Sequence, residues 1–427
     1  MIVNIIGAGL AGCEAANFLA NHGIKVNLYE KRPLANTEAH HTDLFGELVC
    51  SNSLKSKKLD NACGLLKEEI KRMGSLMMEA SEVSEVPSGD SLSVDRTVFA
   101  TYITDKIKNN PNINVIIEDV KDVKKLEGIT LITTGPLTTK DLLEEISDLT
   151  HEKIHSFFDA SAPIVLKSSI DLNKAYFKSR YSQDDDAYIC CPFNKEQYLN
   201  FYNELINGKR ALLHEFDTHY FEGCLPLEII AGRGVDTLRF GPLKPKGLEK
   251  DGEEFYAVCQ LRQDDLIGDF YNLVGFQNNL TYGEQKRIFR MIPGLENAEF
   301  IRYGLMHRNS YICAPKVLNE ELNLKTDENI YIAGQLSGVE GYVESAASGL
   351  LAGYYIYLRL SNKPYKKLSF FTVLGALVRY ITHTGFNNFQ PMNANFGIIY
   401  RANVDKKEKV IERSLKGIED FTKQINE

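Results

Sequence analysis

The chain has 427 residues, 44% of them hydrophobic and 25% charged, an ordinary globular mixture that argues against disorder or a fibrous repeat and predicts two or three domains. With 49 Lys and Arg against 57 Asp and Glu the net charge is −8, so there is no general attraction to nucleic acid and any RNA contact needs a local basic patch. The longest apolar stretches, such as Leu368 to Val378, fall short of the roughly 18 residues of a membrane helix, and no basic leader opens the chain; a cytoplasmic protein without a membrane partner is expected.

The first thirty residues read as a β-α-β unit. Ile2 to Ile6 is an apolar strand, Gly7 to Gly12 a glycine turn, Cys13 to Asn21 a helix of small residues, and Val26 to Tyr29 a second strand. Gly7, Gly9 and Gly12 form G-x-G-x-x-G: the first permits a tight turn, the second admits a pyrophosphate, and the third packs helix on strand. Glu30, 18 residues beyond Gly12, stands where a carboxylate binds a ribose hydroxyl. FAD, NAD and S-adenosylmethionine all use such units. Two later strand-to-glycine junctions favour FAD: Ile129 to Pro136, with Gly135, and Asn329 to Gly334, where Gln335 opens a Gly/Ala/Ser-rich stretch suited to a second helix N-terminus near a flavin.

Junctions so far apart imply an α/β fold: a Rossmann-like FAD-binding domain, residues 1–150 and 301–427, interrupted by a mixed α/β insertion domain, residues 151–300, with the aromatic cluster Tyr198 to Tyr202. A basic helix with Lys406, Lys407, Lys409, Arg413 and Lys416 closes the chain and reads as a solvated face.

Eight cysteines show no C-x-x-C spacing, so they are free thiols and no metal is expected. His151 to His155 matches H-E-x-x-H, but it runs into Ser156-Phe157-Phe158, which reads as strand and not as the helix a zinc site needs. Cys13, Cys63, Cys259 and Cys313 read as small buried hydrophobes. Cys50 sits in a polar run followed by Lys55, Lys57 and Lys58, whose charge would favour a thiolate, and Cys224 sits in a loop ending at Pro226. His40-His41-Thr42 and Met306-His307-Arg308-Asn309 read as polar loop clusters.

Longer matches point further. The glycine turn, Glu47 to Leu54, Gly64 to Glu69, Tyr220 to Cys224, Phe240 to Pro245, Gln260 to Asp264, Met306 to Asn309, Gly338 to Ala346 and Phe389 to Gly397 resemble the TrmFO family of folate- and FAD-dependent RNA (uracil-C5)-methyltransferases over nearly the whole chain. The resemblance implies that 5,10-methylenetetrahydrofolate supplies a carbon, reduced FAD a hydride, and NAD(P)H the reducing power, giving 5-methyluridine. It implies that Cys224 adds to uracil C6 and that Cys50 assists proton abstraction at C5 or guards the flavin. It implies too that a histidine stacks on the pterin, His307 first, with His40 and His41 as candidates, and that Tyr342 lines the same pocket. The implied substrate is structured RNA: the T-loop uridine of tRNA or, in a branch from reduced AT-rich genomes that suits this Trp-free chain, a 23S rRNA uridine. Two rivals stand beside it: an NAD(P)H-dependent flavin oxidoreductase acting on a small molecule, and a non-catalytic FAD-containing RNA-binding factor.

Overall fold

The computed structural model describes residues 2–425 except 38, 181–186, 212–224, 363, 384, 386–388 and 400–405. Five parallel strands form the central sheet, in the order Ile330–Ile332, Ile129–Ile132, Ile2–Ile6, Lys25–Glu30, Ile113–Ile117. Ile6 stands opposite Tyr29 on one side and Ile132 on the other, and Ile132 opposite Ile332, so the carboxyl ends align along one edge. That edge is where ligands bind in open α/β sheets. The three strand-to-glycine junctions of the sequence all end there.

One helix packs on the sheet and a second packs on that helix. Leu10–Asn21 is buried along nearly its whole length, and Tyr342–Leu360 lies against it. Small residues make this possible: a Cβ at Gly349 would run into the backbone of Ala11, and one at Gly353 would lie 3.2 Å from the Cα of Ala15. The long helix begins at Tyr342, not at Gln335 as the sequence pattern suggests. Residues Gln335–Ser337 form one 3-10 turn, and Gly338 and Gly341 take positive φ (+89° and +116°), which breaks the run before the helix starts.

The second body is a six-stranded antiparallel sheet, in the order Tyr176–Phe177, Tyr188–Phe193, Ala257–Gln263, Phe270–Leu273, Ile164–Leu166, Phe300–Arg302. Its hydrophobic core is separate from the first and is built on Phe193, Tyr198, Phe201, Phe276 and Phe289, with the aromatic cluster carried on the helix Lys195–Asn207. The antiparallel pair His155–Ala160 and Met306–Tyr311 forms a sheet of its own. The C-terminal helix Lys407–Thr422 buries Val410, Ser414, Ile418 and Phe421 and leaves Lys406, Lys407, Lys409 and Lys416 exposed. Among the described residues no helix is long and apolar enough to cross a membrane.

Candidate active site

The glycine turn occupies the sheet's carboxyl edge. At Gly7 (φ +100°) a Cβ would lie 2.8 Å from the carbonyl oxygen of Thr133, at Gly12 it would collide with the carbonyl oxygen of Gly7, and at Gly9 its nearest neighbour would be 3.9 Å away. The first and third glycines are therefore sealed against protein, while the second opens outward. No side chain caps the helix that starts at Leu10, so its first-turn amides remain for an anion. A cavity lined by Gly7, Gly9, Glu30, Arg32, Val120 and Thr134 continues from this turn. Open backbone at Gly9, an uncapped helix and a lined cavity fit a dinucleotide such as FAD.

Glu30 is buried here, accepting from the Ala8 amide (3.0 Å) and from the Arg32 backbone and guanidinium (3.0 Å). Burial works against its charge, but Arg32 outweighs it and holds the carboxyl below its ordinary value. His40 lines the same cavity, where burial and then Arg32 push its pKa down. His41 is likewise lowered, by burial and then by Arg302.

A second pocket lies where the two bodies meet. It is lined by Cys50, Lys55, Asp159, Gln277, His307, Gln335, Glu340 and Tyr342. The hydroxyl of Tyr342 accepts from the amides of Cys50 (2.8 Å) and Ser51 (3.2 Å) and stands 3.1 Å from the Cys50 sulfur. With two amides donating to it, the hydroxyl is left to donate its own proton, and the sulfur stands within its reach. The loop that carries Cys50 is held from both sides. Arg96 donates to the Leu48 carbonyl (2.9 Å) while paired with Asp264, and Asn52 bonds Val94 and Gln263. Arg262 from the antiparallel sheet donates to Asn52 (3.1 Å) and Ser51 (3.0 Å).

Three sequence expectations need correction. Met306-His307-Arg308-Asn309 is not a loop but strand, with His307 only 3% exposed and registered against Asp159, its Nε2 3.9 Å from the carboxylate. Polar residues on both strand faces concealed the alternation. The lysines after Cys50 do not activate it: Lys55 pairs with Glu344 (3.3 Å), Lys57 with Glu85 (2.7 Å) and Lys58 with Asp90 (2.6 Å). Burial and the Asp159 carboxylate instead push the Cys50 thiol up to about 12, against the opposing pull of Tyr342 and Arg96. The Gly/Ala/Ser-rich stretch, finally, delivers Tyr342 and not Gln335 at the helix start.

The structure thus brings Cys50, His307, Gln335 and Tyr342 together and separates them from His40, which belongs to the glycine-turn cavity. Gly135 (φ +70°) and Gly334 (φ +76°) turn the chain beyond their strands, and the Gly334 amide donates to Ser348. Cys224 lies outside the described residues. Of the thiols given a buried role, Cys13, Cys63, Cys259 and Cys313 are all buried. His151 ends a helix in the left-handed region and His155 opens a strand, so H-E-x-x-H has no shared helix face, and no metal-holding cluster occurs among the described residues.

Sequence reading missed Asp159, Gln277 and Glu340. Glu340 accepts from Gln335 Nε2 (2.5 Å), and burial and Asp159 push its carboxyl up. Both carboxylates reach the pocket through pairings that no local pattern announces.

These features define a protein of the Rossmann-like FAD-binding class with an inserted antiparallel body. The same fold occurs in GidA of Aquifex aeolicus, 17% identical, with a TM-score of 0.71 over 98% of this chain and 73% of that one. The family described as "Glucose inhibited division protein A" matches residues 2–364. Full-length relatives are nearer still. The methylenetetrahydrofolate–tRNA-(uracil-5-)-methyltransferases TrmFO of Staphylococcus carnosus and Listeria monocytogenes are each 50% identical over 99% of this chain and 99% of their own. The chain belongs to the TrmFO family.

Proposed function

We propose that this chain methylates uracil C5 in tRNA, with methylenetetrahydrofolate as carbon donor, FAD as bound cofactor and NAD(P)H as reductant. The observation that carries the reading is the pocket itself: a cysteine held by a tyrosine hydroxyl, beside a buried histidine, between the dinucleotide fold and the inserted body. The names of the full-length relatives support tRNA over 23S rRNA as substrate.

When bound, reduced FAD supplies a hydride and the folate a one-carbon unit. The chain's own residues do the rest. By family correspondence the Cys224 sulfur adds to C6 of a base taken out of its stack, which makes C5 nucleophilic toward the carbon. The C5 proton then leaves to Cys50, and the Cys224–C6 bond breaks. Burial and Asp159 keep Cys50 a thiol at rest, so it must first lose its own proton to take the one from C5; Tyr342 fixes its sulfur and, by donating to it, lowers the cost of that thiolate. His307, rigid on its strand, supplies a flat face for the pterin. Gly7, Gly9, Gly12 and Glu30 hold the dinucleotide. Residues 1–150 and 301–427 act as the cofactor-holding part and 151–300 as the part that meets RNA, with the strand Phe300–Arg302 carrying the second part a few residues past that boundary.

The test offers unmodified tRNA and 23S rRNA transcripts together, with FAD, NADPH and methylenetetrahydrofolate, and maps methylated uridines by mass spectrometry. Methyl in the tRNA T-loop is the expected result. Methyl only in rRNA would redirect the substrate. NADPH oxidation with no methylated RNA would favour a plain flavin oxidoreductase, and RNA binding without turnover a non-catalytic factor.

A further inference from the structure

Beside the Cys50 pocket the inserted body carries three rings in a stack. Tyr282 lies 5.1 Å from Tyr303 at 21° between planes, and Tyr303 lies 5.4 Å from Phe300 at 14°. Tyr282, at the end of the ladder, is 55% exposed. Near-parallel rings usually fill a core; here the stack ends in solvent, and a flat outer face is left without a neighbouring ring among the described residues.

A cation stands within the same segment. Arg302 donates to the carbonyl of Val49 (2.5 Å), the residue before Cys50, and makes no ion pair among the described residues. The adjacent Arg96 already uses the available carboxylate, Asp264. Arg262 is a further guanidinium near the same carboxylate, so Arg96, Arg262 and Arg302 cluster around one acid on the side of the Cys50 loop away from the pocket's own carboxylates Asp159 and Glu340. Exposed Lys286 lies one helical turn beyond Tyr282. The chain also connects this surface to the site: Gln277, a pocket residue, precedes Tyr282 by five positions, and Tyr303 precedes His307 by four.

We propose that Tyr282, Tyr303 and Phe300 form a stacking platform for an unpaired base of the RNA substrate, with Arg302 taking a backbone phosphate at the entrance to the Cys50 pocket. A flat exposed ring accepts any base face, and a guanidinium that gives one donor to a carbonyl and makes no ion pair keeps further donors for a phosphate. Together they recognise unstacked RNA by shape and charge, and steer it to the pocket despite the acidic surface elsewhere. The inference rests on the RNA-methylating function proposed above.

The test measures binding of a fluorescein-labelled, unmodified tRNA transcript to the full, FAD-loaded chain by anisotropy, from about 50 to 200 mM salt. Tyr282→Ala is expected to weaken binding about 10-fold and Tyr282→Phe less than about twofold, because only the ring is used. Arg302→Gln is expected to reduce the salt slope by about one, and Arg302→Lys to retain it. Flavin content and thermal melting of each variant are measured alongside, to separate lost contacts from lost fold. If the unaltered chain binds and methylates RNA while Tyr282→Ala and Arg302→Gln bind with unchanged affinity and slope, the platform is wrong and the function stands. If the unaltered chain binds no RNA, both fall.

Discussion

The glycine-turn cavity and the Cys50 pocket lie along one sheet edge, yet they are assembled in opposite ways. The first is local. Gly7, Gly9, Gly12 and Glu30 come from a single β-α-β unit, and backbone geometry makes the site. The second draws Cys50 from a loop, Asp159 and His307 from two paired strands, Gln277 from the inserted body, and Tyr342 from a helix start nearly 300 positions away from Cys50. A backbone site tolerates change at its lining but not at its glycines. A side-chain site depends on each distant partner in turn.

That contrast is most readily broken at Gly12. Gly12→Val would drive a side chain into the carbonyl oxygen of Gly7, with no flexible neighbour to yield. Loss of flavin absorbance together with a stability loss of about 3 kcal/mol or more is expected, measured by denaturant titration. A flavin-replete, stable Gly12→Val chain would show that the turn is not the tight one described here.

Next in size comes Tyr342→Phe, which keeps the ring but strips the acceptor from the Cys50 and Ser51 amides and the donor from the sulfur. Unmade bonds to buried groups cost about 1–3 kcal/mol. Methyl transfer per bound flavin should fall at least about 10-fold. Because Tyr342 pulls the thiol pKa down, the alkylation-rate profile of Cys50 should move to higher pH in this variant. By contrast Lys57→Ala and Lys58→Ala should leave that profile in place, since both lysines are engaged with Glu85 and Asp90.

A smaller effect concerns the frame that both sites share. Glu69 is buried, accepts from the amides of Val373 and Leu374 and from the Ser414 hydroxyl, and so caps the helix Val373–His383. Glu14 does the same for the helix Leu76–Ser84. Burial pushes each carboxyl up to about 7, against these hydrogen bonds. A raised value in the fold means that the folded chain binds the proton more tightly than the unfolded one. The contribution is full below the ordinary carboxylate range and is lost as pH rises through about 7. Thermal stability should therefore decline from pH 5 to 8, and Glu69→Gln should flatten that slope; an unchanged slope would remove Glu69 from it.

The same contrast decides what the sequence discloses. The glycine turn was legible because its whole logic sits in residues 2 to 30, where spacing alone fixes geometry. Cys50 stood out by its polar surroundings, but its pairing with Tyr342 was legible only through family resemblance, since nothing local links them. Asp159 was not legible: it enters by antiparallel register with His307, and that strand hides its period behind polar residues on both faces. The lysines misled for a related reason. Their proximity to Cys50 along the chain is real, but the carboxylates that neutralise them arrive from elsewhere, Glu344 from the long helix and Glu85 and Asp90 from a neighbouring hairpin.

The most direct test compares the unaltered chain with Cys50→Ser, each reconstituted with FAD and normalised to bound flavin. Both are incubated with unmodified tRNA, methylenetetrahydrofolate and NADPH, and 5-methyluridine is counted by mass spectrometry. The account predicts methylated T-loop uridine from the unaltered chain and none from the flavin-loaded variant. Methylation by Cys50→Ser at the unaltered rate would contradict it, and would place the chemistry outside this pocket.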